Sequence, residues 1–202
     1  EPWGSEQALL ASLQDKPEIF GACDPSLGLS GDRGDLTAIV SVLRDRKTGN
    51  MYVLDANIAR RTPDQTIDTI LDYYRARRYT AFAFESNQFQ EFMRQEIEKR
   101  GKACGVYPKM TPLNHTTHKR ARIGALQPLI HRGTLSFSRR HRLLLEQLRQ
   151  FPRGAHDDGP DALEMAVSLA QKPVVVPRIW FIYPGRGDRG WGGGWKTLYR
   201  GP

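Results

Sequence analysis

Apolar positions fall first into short continuous runs and later into helical spacing. Ile19-Phe20-Gly21-Ala22-Cys23 is a run that ends on Asp24, and its length and the loop after it predict a central strand. Leu36 to Leu43, rich in β-branched residues, predicts a second strand, and Met51 to Ile58 a third, with a turn at Arg46-Lys47-Thr48-Gly49-Asn50 between them. Strands joined by such short connections make an antiparallel meander. Thr62-Pro63-Asp64-Gln65 then opens a helix, a cap residue followed by Pro at the first helical position. Ile67, Ile70, Leu71 and Tyr74 form its apolar face. Thr80-Ala81-Phe82-Ala83-Phe84 is a fourth strand run and again ends on an acid, Glu85.

The pattern continues with a helix carrying Phe89, Phe92, Met93 and Ile97 and stopping at Gly101. A short fifth strand is predicted over 103–108, then a polar loop over 111–118 with His115 and His118. Lys119-Arg120-Ala121-Arg122-Ile123 opens a helix running through Leu129-Ile130, followed by a small strand at Thr134 to Phe137 and a helix from Arg139 to Gln150. The stretch from Arg153 to Met165 begins the last core helix, with Gly159-Pro160 in its first turn. The sum is an α/β domain over 18–172, a mixed central sheet flanked by helices. Residues 1–17 read as an amphipathic lead-in from a preceding linker or domain. Residues 173–202 read as an extension, Gly/Arg-rich with Trp191 and Trp195, either disordered or touching nucleic acid.

Charge narrows the class of partner. The 202 residues carry a formal net charge of +8, which favours a polyanion, nucleic acid before membrane. Two cysteines, Cys23 and Cys104, exclude a disulfide scaffold or a thiolate zinc site and fit a reducing compartment. No run is apolar for long enough to span a membrane as a helix. Starting on Glu1, the chain reads as a processed or excised piece of a longer protein.

The candidate chemistry lies in carboxylates. Asp157, Asp158 and Asp161 fall within five positions at a predicted helix start. Taken alone, such a cluster is better explained by a solvated acidic cap than by a metal site. Asp24 and Glu85, at the ends of strands one and four, supply the missing partners. If those strands are neighbours and the last helix brings its N-terminus to the same edge, Asp24, Glu85, Asp157 and Asp158 converge. Close carboxylates repel unless a cation joins them, and hard divalent ions prefer such oxygens. Two divalent ions roughly 3.5–4 Å apart serve phosphodiester hydrolysis by activating water and compensating charge in the transition state. Asp35 is a weaker candidate for the same edge, and Asp161 suits a helix-dipole role. His156 could orient a carboxylate.

Asp24-Pro25-Ser26 followed by Asp35-Leu36-Thr37-Ala38, Phe84-Glu85-Ser86-Asn87, Lys119-Arg120-Ala121-Arg122-Ile123, and Phe151-Pro152-Arg153-Gly154-Ala155-His156-Asp157-Asp158-Gly159-Pro160-Asp161-Ala162 occur here in that order. In order and spacing they resemble the nuclease domain of the large terminase subunit of tailed bacteriophages or prophages, a member of the RNase H-like superfamily. The resemblance covers roughly residues 18–170. It implies an RNase H-like fold and an endonuclease that cuts concatemeric viral DNA during genome packaging, in the cytoplasm of the infected host. It also implies magnesium or manganese, two ions, held by Asp24, Glu85 and Asp157 or Asp158. The implied partners are double-stranded DNA, the portal, the small terminase subunit and an ATPase motor of the same polypeptide. No Gly-x-x-x-x-Gly-Lys-Ser/Thr phosphate loop is present, so the resemblance is to the nuclease part alone.

Lys119 and Arg122 share a helix face and are candidates for neutralising DNA phosphates. Arg139 and Arg140, beside His141 and Arg142, are candidates for tracking a phosphate backbone. For each, a solvated surface is the bland alternative. A junction-resolvase or transposase-like nuclease would need the same acids, and a non-catalytic nucleic-acid-binding module would use them only as caps.

Overall fold

The apolar runs become β1 (Glu18–Asp24), β2 (Thr37–Arg44), β3 (Met51–Ala59) and β4 (Tyr79–Glu85), joined later by β5 (Met110–Leu113) and β6 (Leu135–Ser136). The computed structural model describes residues 3–25, 36–85 and 88–172, apart from the side chains of 85–91. Asp35 and the 173–202 extension lie outside the described residues. β1, β2 and β3 form the expected antiparallel meander, with Asp24 opposite Ala38 and Ala38 opposite Ile58. β4 runs parallel to β1, with Phe84 opposite Cys23. The whole is one six-stranded mixed sheet in the order β5-β4-β1-β2-β3-β6.

The helices are α1 (Glu6–Ser12), α2 (Pro63–Ala76), α3 (Gln88–Ala103), α4 (Lys119–Gly124), α5 (Leu126–His131), α6 (Arg142–Gln150) and α7 (Asp158–Gln171). Side chains alternate across the sheet. Ala22, Val40, Val42 and Val53 face α7, packing with Ala162, Leu163 and Ala166. Cys23, Ile39, Phe82 and Phe84 face α2 and α3, packing with Ile67, Ile70, Met93 and Ile97. Both faces are covered, which is why the central strands read as unbroken apolar runs rather than as alternation. α2 starts on the Thr62–Gln65 capping box, with Pro63 in the first turn.

Two expectations change. The fifth strand is not 103–108. Val106 N–H closes α3 on Gly101 O at 2.8 Å, Gly105 turns the chain at φ 72°, and pairing with β4 begins only at Met110. Pro112 sits opposite Phe84 within β5, tolerable because β5 is an edge strand. The helix predicted from Lys119 to Ile130 is broken at Ala125 into α4 and α5. Pro128 lacks the N–H that a continuous helix would donate to Gly124. Of the apolar residues that α3 carries, Phe92 is 62% exposed, whereas Met93 and Ile97 are buried. The lead-in packs on the sheet, with Leu9 of α1 against Leu43 and Leu54.

Candidate active site and metal centre

Three elements meet at the C-terminal ends of β1 and β4. β1 stays apolar until Asp24, and β4 ends one residue beyond Phe84, the partner of Cys23, so Asp24 and Glu85 end adjacent parallel strands. Gly21 allows their close packing, since a Cβ there would lie 2.4 Å from the Phe82 ring. The N-terminus of α7 is fixed by Gly159. Its N–H donates to Gln147 Oε1 at 2.9 Å, and a Cβ on it would lie 2.5 Å from that oxygen and from Ile58 Cδ1. Ile58 is level with Asp24 across the meander, so this contact delivers Asp157, Asp158 and Asp161 to the edge where β1 ends. α4 begins on His118, whose Nδ1 accepts from Arg120 N–H at 3.3 Å. It turns Lys119 and Arg122 toward α7.

Lys119 sits at the centre. Its Nζ lies 2.9 Å from Asp157 Oδ1, 3.0 Å from Asp161 Oδ2 and 3.8 Å from Asp24 Oδ2. Burial would push this ammonium's pKa down, but Asp161, Asp157 and Asp24 outweigh it and hold the pKa well above the ordinary lysine value. Arg122 Nη2 lies 3.0 Å from Asp161 Oδ1, an ion pair without hydrogen-bond alignment. Its Nη1 pairs with Glu164, which also accepts from Ser168 at 2.6 Å. Asp158 forms no ion pair with Lys119 or Arg122. Its Oδ2 is buried with no hydrogen-bond partner, and His156 Nδ1 stands 3.7 Å away. Burial raises the Asp158 pKa, and its own backbone N–H, Lys119 and His156 only partly offset this.

The bland cap reading does not describe Asp157. It occupies the N-cap position of α7, yet its side chain makes no cap hydrogen bond and takes Lys119 instead. Asp161, in the first turn of α7 where the helix dipole favours an acid, is also 4% exposed and salt-bridged to Lys119 and Arg122. Lys119 and Arg122 do share a face, but it points inward, and the Arg122 side chain is 9% exposed. Arg139 and Arg140 are not brought to this edge. They follow β6, at the opposite margin of the sheet, where Arg140 stacks over Trp3 at 5.2 Å and bonds Leu54 O. Glu164 was not legible as a participant, because in the sequence it is one more polar position in an apolar helix.

The donors are all hard oxygens. Lys119 and Arg122 face five carboxylates, Asp24, Asp157, Asp158, Asp161 and Glu164, with Glu85 ending the next strand. Among the described residues no three His, Cys, Asp or Glu side chains close into a ready-made metal cage. Surplus negative charge and an unpaired buried oxygen on Asp158 nevertheless suit a divalent cation.

A mixed sheet of this order, flanked by helices and with acids at the ends of two adjacent parallel strands, is an RNase H-like nuclease fold. The chain belongs to the terminase RNaseH-like domain family, whose model matches residues 21–170. Among solved structures, the P22 large terminase nuclease domain superposes with a TM-score of 0.57 at 14% identity, over 85% of this chain and 91% of that one. The HK97 bacteriophage large terminase gives 0.56 at 15% identity, over 84% of this chain and 43% of that one. The large terminase nuclease of thermophilic phage G20c, solved with bound cobalt, gives 0.55 at 15% identity, over 77% and 83%. A magnesium-bound structure of the same nuclease also matches, at 0.51. At these identities the likeness concerns the fold. No curated protein sequence matches the chain. No helix among the described residues is long and apolar enough to cross a membrane.

Proposed function

We propose that the chain is a divalent-metal-dependent endodeoxyribonuclease that cuts concatemeric viral DNA during genome packaging in the infected bacterium. The observation that carries this reading is the meeting of Asp24, Asp157 and Asp161 on one ammonium, beside a buried Asp158 oxygen that accepts no hydrogen bond and the end of β4. Asp24, Glu85, Asp157 and Asp158 are the residues that would hold magnesium or manganese, which supplies charge compensation at the phosphate and a more acidic water. The G20c nuclease structures with cobalt and magnesium support that choice of cofactor by analogy.

The chain's own residues have definable parts. Lys119 keeps Asp24 and Asp157 together against their mutual repulsion. Once those carboxylates have another cation, its ammonium is free to meet a DNA phosphate or the departing strand. Asp161, braced by Arg122, which Glu164 holds in turn, limits where Lys119 can swing. Double-stranded DNA, an ATPase motor of the same polypeptide, the portal and the small terminase subunit are the partners this reading implies. The test is plasmid nicking with and without magnesium or manganese. The parent protein should convert supercoiled DNA only with metal, and Asp24→Ala should not. Equal cutting by Asp24→Ala, or cutting in chelator, removes the metal-site reading.

A further inference from the structure

At the other end of β4 the molecule has a second polar concavity. The N-terminal residue Tyr79 lies six residues before Glu85, about 20 Å along an extended strand. Here the ends of α2 and α3 and the approach to β5 enclose an open cavity of about 680 Å³, within the range of small-ligand sites. Arg75, Arg78, Lys109, Tyr74, Tyr79 and Tyr107 line it, and no carboxylate does. Arg77 also lines it, but its charge is committed to Glu6 and Asp55, and Arg75 is paired with Asp72 at 2.6 Å.

Helix C-termini attract cations, which accounts for Arg75 in the last turn of α2. It does not account for Arg78 or Lys109. Both lie outside helices, are exposed, and have no ion pair among the described residues. One carbonyl at each helix end is capped: Arg77 N–H donates to Tyr73 O at 2.7 Å and Val106 N–H to Gly101 O at 2.8 Å. The wall is rigid, since Tyr74 Oη donates to Lys109 O at 3.1 Å and Tyr79 Oη bonds Ser41 Oγ at 2.6 Å. Tyr107 is different. Its ring is 74% exposed, with no stacking partner among the described residues, on the rim of a cationic cavity. Free cations beside an exposed ring are what a phosphate and its base require.

We infer that this cavity is a nucleotide-binding subsite, with Arg78 and Lys109 taking a phosphate and Tyr107 stacking a base. The nucleotide is either free or a unit of a nucleic-acid strand. The site is separate from the acid edge and does not depend on the nuclease reading.

Cys104 also lines the cavity and is exposed, while Cys23, the other cysteine, is buried. Alkylation of Cys104 by iodoacetamide, an uncharged reagent, therefore reports occupancy. The experiment measures its rate in metal-free, low-salt buffer with a single-stranded oligonucleotide, a nucleoside monophosphate, inorganic phosphate or polyglutamate. The oligonucleotide should slow alkylation several-fold, and Arg78→Glu/Lys109→Glu should abolish the effect without changing the circular dichroism spectrum. Tyr107→Ala should weaken nucleotide protection roughly tenfold, the scale of one stacked base, and leave any phosphate effect alone. Protection by the monophosphate at similar concentration supports a free nucleotide as ligand, and protection by the strand alone supports nucleic acid. No protection, unchanged protection in the double variant, equal protection by polyglutamate, or inorganic phosphate matching the nucleotide would each overturn the assignment.

Discussion

Arg77 and Lys119 each join carboxylates from other elements, and the two arrangements differ in charge balance. Arg77, just after α2, takes Glu6 of α1 through two nitrogens, at 2.5 and 3.0 Å, and Asp55 of β3 at 2.5 and 3.2 Å. Arg140 adds a second cation 3.7 Å from Glu6. Two cations thus face two carboxylates in a fork geometry suited to both. Lys119 and Arg122 face five, and one buried Asp158 oxygen has no hydrogen-bond partner. A balanced cluster is a clamp that holds α1 to the sheet. An unbalanced one at converging strand ends has charge left for something that arrives from solution.

The largest difference should appear when each cluster loses one member. Asp24→Ala or Asp158→Ala should lower DNA cleavage by on the order of 10³-fold, as for loss of one preorganised electrostatic group. Thermal stability of the metal-free Asp158→Ala protein should change little, because the cost of burying this carboxylate offsets its 3.7 Å contact with His156. Arg77→Ala should do the reverse. It leaves Glu6 with only Arg140, 3.7 Å away, takes from Asp55 the cation that holds it, and should cost about 3 kcal/mol by denaturant unfolding, with cleavage per folded molecule unchanged. If Arg77→Ala proved silent in stability, the contrast between clamp and site would fail.

Gly159→Ala sharpens the comparison by moving α7 rather than a charge. Its new Cβ collides with Gln147 and Ile58, an overpacking that should cost about 1–3 kcal/mol. Because that contact aims Asp157 and Asp158, cleavage should fall as well.

The smallest effect concerns His141, on the clamp side. Burial lowers its pKa from the ordinary 6.5; the Leu54 carbonyl and Asp55 oppose this, and Arg140 adds to it. The unfolded chain therefore binds the proton more readily. Stability should be full above pH 6.5 and decline as pH falls through the folded-state pKa, by about 1 kcal/mol or less. His141→Gln should flatten that part of a stability–pH curve, and an unchanged curve would assign it to other groups.

Much of the frame was legible because burial on both faces leaves a plain signature. β1 to β4 read as apolar runs, and their terminal acids, Asp24 and Glu85, stood out against them. β5 did not, since Pro112 interrupts a run only four residues long and its place at the edge, where Pro is tolerated, is a property of the sheet. Around the site, residue types were readable and directions were not. Lys119 and Arg122 were visible as a pair on one face. That this face turns inward to Asp161 and Glu164 depends on how α4 packs on α7. Arg139 and Arg140 looked equally basic in sequence, yet β6 carries them to the far margin of the sheet.

Crystals soaked in manganese and measured at a wavelength where it scatters anomalously test the central claim most directly. The charge surplus predicts anomalous peaks enclosed by Asp24, Glu85 and the start of α7, with Lys119 displaced from Asp157. No peak there, with Lys119 still bridging the aspartates at high manganese, would contradict it.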